Sequence, residues 1–432
     1  MTEDEEMAES AEEDDYILEP RLHPYGQKKI NKKSQDNAIK FLGEGLRSVE
    51  GYTPHWWYRK LLAWTVKNFV ASGGWNVVTI QGYSRSEPVY NDVPTDYEKS
   101  ENCLFDGQYL IEKENIRMVV SLIDSDRSGY TLQMEAGEQC HNQIRELLGE
   151  IKESFKQNNF YRGKKLFFKG DLSFIKVGHR DWDSVILDPS MKNEIRRNTI
   201  GFLQDLPKWE KYGIPAKRGI ILAGEPGTGK TTVFKALMSE AENITCITTG
   251  AFGLPHEGYI SDIFSIAQDL SPSMVFIEDI DFIGQERSDY YRGSASLIAL
   301  LSEMDGISEK TAIVTIATSN SFETLDKALK ERPSRFDRVF RIGFPSYAQR
   351  VEMVEIMSVN IPLSMDLKWY IARETNGYTP AQLQEVLHGM VISSQQLGEE
   401  PLDFTRNDVD LVISLINFRK TGKLGFKAPS PF

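Results

Sequence analysis

The sequence predicts an α/β protein whose core is a doubly wound parallel sheet, preceded by a small α+β domain. Two observations lead there. From residue 182 onward, short apolar runs at 219–223, 244–248, 274–277, 312–317 and 339–342 are separated by helix-length segments. Buried parallel strands joined by crossover helices read this way. Upstream, one stretch of helical apolar spacing is followed by β-rich runs with turn-forming residues between them, the mixture expected of an α+β unit.

At 432 residues the chain exceeds what one hydrophobic core sustains, so two or three domains are expected. Apolar residues at 40% and charged residues at 26% are values of a soluble globular protein and exclude disorder over most of the length. The formal charge is −13, and nine of the 63 acidic residues fall in the first fifteen positions. Such a tail cannot bury enough surface to offset its ordering entropy, and residues 1–20 are expected to be a disordered acidic tail. Without it the charge is only about −4, which gives no field favouring nucleic acid. The short basic stretch with Lys28, Lys29, Lys32 and Lys33 reads as a hydrated linker.

Cys103, Cys140 and Cys246 lie far apart with no C-x-x-C or paired histidine spacing. Neither a disulfide framework nor a zinc site is suggested, and a reducing compartment is expected. No apolar stretch approaches the ~18 residues of a membrane span, and the acidic start has the wrong sign for a leader. A cytoplasmic protein with no membrane partner is the expectation.

Residues 16–50 are polar and poorly periodic. In 56–70, Trp57, Leu61, Leu62, Trp64, Val66 and Phe69 recur at helical spacing, as in a helix facing a core. Strands are expected at 75–80, 116–123 and 130–134, and a helix at 143–157 carrying Ile144, Leu148, Ile151 and Phe155. A further strand at 165–168 precedes a boundary near 175. The α+β unit is thus placed at 50–172. His55 and His141 stand alone and read as surface or packed histidines rather than ligands. With no chemical constellation, this unit is expected to recognise a partner or adaptor.

Gly224-Glu225-Pro226-Gly227-Thr228-Gly229-Lys230-Thr231 satisfies G-x-x-x-x-G-K-[ST] at every required position, between the run at 219–223 and a helical stretch opening at Thr232. The glycines let backbone N–H groups turn inward around a polyphosphate, Lys230 places a charge between the β- and γ-phosphates, and Thr231 offers a hydroxyl to Mg²⁺. The loop through Thr232 is therefore the candidate site for ATP with Mg²⁺.

The run at 274–277 leads straight into Glu278-Asp279-Ile280-Asp281, putting acids at the carboxyl edge of the sheet, where ligands of open α/β sheets bind. This segment resembles the Walker B motif of the AAA clade of AAA+ ATPases, with the usual Asp-Glu order reversed; the Bcs1-like branch of that family has the same Glu-Asp order. The resemblance implies that Glu278 holds Mg²⁺ through water and that Asp279 polarises the attacking water. Asp279 is one methylene shorter than the usual base, which bears on its hydrogen-bond reach.

Thr318-Ser319-Asn320 resembles the family's sensor-1 element, with Asn320 implied to orient the nucleophilic water. Leu325 to Leu329, followed by Arg332-Pro333-Ser334-Arg335-Phe336-Asp337-Arg338, is similar to the second region of homology and is the most discriminating match. It implies that Arg335 reaches into a neighbouring subunit's site, with Arg338 as its companion. The segment ending Met304-Asp305-Gly306 agrees, as does 377–383, where a helical lid begins its sensor-2 helix without the arginine. Residues 182–219 resemble the Bcs1-like lead-in that packs against adenine. The likeness covers about residues 175–415. It implies an AAA+ core at 175–345, a C-terminal helical lid at 346–420, a tail at 421–432 and a homo-oligomer, a hexamer in the usual case.

One departure concerns the pore loop with which family unfoldases grip a polypeptide. The linker at 250–257 is short, so Phe252-Gly253 or Tyr259 would have to serve, with packing an equal alternative. A second loop at 285–293 carries Arg287, Tyr290, Tyr291 and Arg292. The expected function is an ATPase that remodels or unfolds a protein substrate chosen by the N-terminal domain. A nucleic-acid-directed ATPase and an ATP-controlled assembly scaffold with slow hydrolysis are the alternatives.

Overall fold

The computed structural model describes residues 16–18, 29–125, 129–178, 180–250, 257–282, 292–320, 336–397 and 403–421. The chain divides into two compact units. One comprises the described residues up to Tyr161 with Gly170–Phe174, and the other comprises Arg162–Lys169 with the residues from Ile175 onward. Residues 1–15, most of the C-terminal tail and Phe252-Gly253 lie outside the described residues.

The first unit is an antiparallel sheet of β1 (Arg47–Tyr52), β2 (Asn76–Gln81), β3 (Val89–Pro94), β4 (Ser100–Lys113), β5 (Ile116–Ser125) and β6 (Gly129–Gly137). The order is β1-β6-β5-β4-β2, and β3 also pairs with β4. Helix α1 (Lys32–Leu42) packs on β5, α2 (Arg59–Ser72) on β4, and α3 (His141–Gln157) on β1 and β6. Strand β6 alternates, burying Tyr130, Leu132, Met134 and Ala136, the period-2 pattern of a sheet covered on one face.

Strand β4 is instead buried at nine successive positions, 103–111. Polar Asp106 and Gln108 are among them, and Gln108 is paired to Gln81 at 2.8 Å and Ser121 at 3.0 Å. Those buried polar residues break the apolar signal, so the sequence reading passed over β4, as it did β1, β3 and α1. In the stretch expected to be tail and linker, Tyr16–Leu18 pairs antiparallel with Lys29–Asn31, and Asn31 caps α1.

The second unit holds six parallel strands: β7 (Lys165–Phe168), β8 (Lys217–Ala223), β9 (Thr245–Gly250), β10 (Ser273–Glu278), β11 (Ile313–Ser319) and β12 (Arg338–Arg341). They run in the order β7-β9-β10-β11-β8-β12. This corrects the reading of 165–168 as part of the upstream domain. Leu166 and Phe168 are fully buried, and the strand pairs with Cys246 to Thr248. Arg162 and Lys165 anchor it, Arg162 by donating to the carbonyls of Asp269 and Ser271 at 2.8 Å each and Lys165 to those of Ala241 and Ile244.

Helices α4 (Pro189–Asn198), α5 (Lys230–Glu240), α6 (Glu257–Asp269) and α7 (Arg292–Gly306) accompany the sheet. Phe234 of α5 meets Phe276 of β10 edge-to-face, with centroids 5.0 Å apart, in a core shared by Ile220, Leu222, Val314 and Ile316. The lid consists of α8 (Tyr347–Met357), α9 (Met365–Glu374), α10 (Pro380–Leu397) and α11 (Arg406–Thr421). Its core centres on Val354, Ile371, Leu383, Val386 and Val409, all at 0% exposure. Ser346 and Gln349 form a capping box that starts α8 abruptly.

Arg350 on α8 is buried and donates to the carbonyls of Pro345 and Ala372, each at 2.8 Å. It thereby ties the entrance of the lid to the end of α9. Replacing it with methionine keeps the stem but leaves two carbonyls without their donor. Arg350→Met should cost about 2–4 kcal/mol in urea unfolding and speed amide exchange in α8 and α9; unchanged exchange would contradict the role assigned to Arg350.

Candidate nucleotide site

The loop after β8 begins where a side chain has no room. A Cβ on Gly224 would lie 2.2 Å from the backbone oxygen of Ile342, because the Gly224 N–H bonds to Ser319 O and the Ile342 N–H to Ala223 O. Gly227 (φ +82°) and Gly229 (φ +101°) hold left-handed conformations that glycine adopts without steric cost. The Thr228 hydroxyl donates back to Glu225 O at 2.9 Å, fixing the turn from within. Helix α5 then starts at Lys230 with no side-chain cap on Gly229, leaving its first N–H groups open to an anion.

Lys230 is only 6% exposed. Its ammonium donates to Gly224 O at 2.6 Å, Glu225 O at 3.0 Å and Asn320 Oδ1 at 2.7 Å. Burial pushes its pKa down, while Asp279, Asp281 and Glu225 push the other way. Asn320 stands just beyond β11, and its Nδ2 donates to Asp279 Oδ1 at 2.8 Å. The Asp279 N–H donates to Thr318 Oγ1 at 2.8 Å, and the Asn320 N–H to Asp281 Oδ1 at 3.0 Å. The ends of three strands thus converge on one hydrogen-bonded chain from Lys230 through Asn320 to Asp279.

That chain lies at one end of a cavity of about 590 Å³, a size usual for ligand pockets. Pro226 to Thr232, Asp279, Thr318 and Asn320 line that end, and Ile186, Leu187, Met353, Ile356 and Met357 contribute apolar walls. The Asp188 cap of α4, which accepts from the Ser190 and Met191 N–H groups, turns the chain immediately after Ile186 and Leu187. A polar cradle joined to an apolar slot suits a polyphosphate carrying a flat base.

Thr231, which lines the cavity, offers a hard oxygen donor of the kind Mg²⁺ takes together with phosphate oxygens. Among the described residues no group of three His, Cys, Asp or Glu side chains is placed to hold a metal ion.

Of the residues singled out from sequence, Gly227 to Thr232, Asp279 and Asn320 are brought together here. Gly224 and Glu225 shape the loop through their carbonyls. Glu278 ends β10 and does not line the cavity. Arg338 is exposed on β12, and Arg335 lies outside the described residues. Sequence reasoning quoted Asp281 and Thr318 within their motifs but gave them no role of their own, and it passed over the lid methionines, which carry no local signal.

Residues 220–344 match the family described as ATPases associated with various cellular activities, AAA. The chain carries an AAA+ ATPase domain. Its nucleotide is ATP with Mg²⁺. Among curated relatives, "ATP-dependent zinc metalloprotease FtsH 2" of Salinibacter ruber is 32% identical over 235 residues, covering 52% of this chain and 34% of that protein. "ATP-dependent zinc metalloprotease FtsH 3" of Sorangium cellulosum is 35% identical over 223 residues, covering 49% of this chain and 37% of the relative. The chain therefore spans about a third of the length of these relatives. No helix among its described residues is long and apolar enough to cross a membrane.

The close approach at Gly224 makes the AAA+ loop testable. In Gly224→Ala the added methyl must separate the loop from Ile342 or distort both. Affinity for a fluorescent ADP analogue should fall about tenfold or more, since a misplacement of 1 Å is costly in such sites. Unchanged binding would contradict the contact.

Proposed function

We propose that this chain hydrolyses ATP within a homo-oligomeric ring, of six subunits by family kinship, and spends the energy on remodelling or unfolding a protein selected by its first unit. The observation that carries the hydrolytic part is the chain Lys230–Asn320–Asp279 at the polar end of the cavity. The open N–H groups of α5 and Lys230 hold the β- and γ-phosphates. Asn320 orients a water against the terminal phosphorus, and Asp279 accepts that water's proton as its oxygen bonds to the phosphorus and the bond from phosphorus to the bridging oxygen breaks to release ADP. Thr231 would hold Mg²⁺ together with the phosphates, with Glu278 contributing only through water, and the ion would supply charge neutralisation at the phosphate oxygens.

Arg335 of the neighbouring subunit, with Arg338 beside it, completes the charge balance in the transition state. Oligomerisation is then part of the active site, a role worth roughly 10³–10⁵ in rate where such fingers act. The protein-directed part rests on the likeness to proteins named ATP-dependent metalloproteases. The metalloprotease half of that name is not carried over, because the six histidines of this sequence include no H-E-x-x-H spacing. The short carboxylate of Asp279 favours a second reading, an ATP-controlled scaffold with slow turnover.

Asp279→Asn separates the two. On the remodelling reading it loses turnover about 100-fold or more, assembles with ATP and retains bound polypeptides that co-purify with it; near-normal turnover would favour the scaffold. Arg335→Ala should abolish hydrolysis in the assembled protein while ATP binding survives, and undiminished hydrolysis would remove the trans-acting assignment.

A further inference from the structure

The backbone ladder between β10 and β11 ends at the pair Ile277 and Ala317. Beyond it the two chains stay joined by side chains, one in each direction. Thr318 on the β11 side accepts from the Asp279 N–H at 2.8 Å, and Asp281 on the β10 side accepts from the Asn320 N–H at 3.0 Å. Between them the Asn320 amide donates to the Asp279 carboxylate at 2.8 Å. Thr318 is 2% exposed, so its bond faces little competition from water. Asp281 does not line the cavity.

The backbone at Asp279 has φ +54°, the left-handed region. Asp and Asn enter it several-fold more readily than other side chains with a Cβ, and elsewhere it is a strained state. The carboxylate is shorter than the family's usual glutamate, yet it reaches the Asn320 amide at full hydrogen-bond distance. The left-handed backbone and the short carboxylate thus occur together at this position.

Resting on the ATPase reading above, we propose that Asp281 and Thr318 are positioning residues for hydrolysis. They form a reciprocal clamp that holds Asp279 left-handed and sets its short carboxylate, with Asn320, against the attacking water. Neither needs to touch the nucleotide. Asp281 acts as an acceptor for one N–H, not as a second base or metal ligand. The reversed Glu278-Asp279 order is then matched to its loop, and lengthening Asp279 to glutamate moves the carboxylate out of register.

The test compares removal with conservative replacement in the full-length chain, reading kcat, KM and the affinity for a fluorescent ATP analogue. Asp281→Ala and Thr318→Val should each lower kcat about tenfold or more while analogue affinity stays within about threefold of wild type. Asp281→Asn keeps the acceptor oxygen and Thr318→Ser keeps the hydroxyl, so both should recover most of the rate. Asp279→Glu should be slower than wild type.

Equal losses in Asp281→Ala and Asp281→Asn would mean that charge matters, and would overturn the clamp. So would wild-type kcat in Asp281→Ala, a loss confined to affinity, or an Asp279→Glu variant as fast as wild type. If Asp281→Ala does not fold, as judged by its melting curve, the Thr318→Val and Thr318→Ser pair decides the matter. Failure of the ATPase reading is separately visible: Asp279→Asn would then leave turnover unchanged, whereas failure of the clamp alone leaves Asp279→Asn dead and Asp281→Ala active.

Discussion

The side-chain amide of Asn320 ties Lys230 to Asp279 at the carboxyl edge of the second unit's sheet. Lys230 can only donate and the Asp279 carboxylate accepts, so the amide of Asn320 has one orientation that satisfies both. Its oxygen faces the lysine and its nitrogen the aspartate. With the bonds of Thr318 and Asp281 it links the loop after β8, the end of β10 and the end of β11. The parallel sheet makes this possible, because it delivers the carboxyl ends of all three strands to the same edge.

The buried Lys230 ammonium has only uncharged oxygens as its direct acceptors, and burial alone disfavours its charge. Asp279, Asp281 and Glu225 oppose that effect. A phosphate entering the cavity brings negative charge to a group that is already short of it. Binding therefore has an electrostatic reason that needs no rearrangement of the sheet.

Much of this second unit was legible in the sequence, for physical reasons. Parallel strands covered on both faces must be apolar throughout, so β8, β10 and β11 announced themselves, and the loop motif is tied to backbone geometry that few other residues allow. What escaped was set by tertiary context. β4 in the first unit hides polar Gln108 inside, satisfied by partners distant in sequence. The cavity's apolar walls include Met353 and Met357, more than a hundred residues beyond Lys230, and nothing local marks them. The left-handed backbone of Asp279 is likewise invisible in its sequence, although it decides what an aspartate at that position can reach. Asp281 stood in the sequence among the acids at the carboxyl edge of the sheet, with nothing local to mark its bond to the Asn320 N–H.

Strand β7 has a consequence of its own. A fragment begun at residue 175, the boundary the sequence suggests, would leave the second unit without this strand. Cys246, Ile247 and Thr248 would lose their partners at Lys165, Leu166 and Phe167, and the buried surface that Leu166 and Phe168 complete would open to water. A bare, apolar, parallel edge is a template for any other strand that meets it. The eight residues from Arg162 to Lys169 therefore belong in any fragment meant to fold as the second unit.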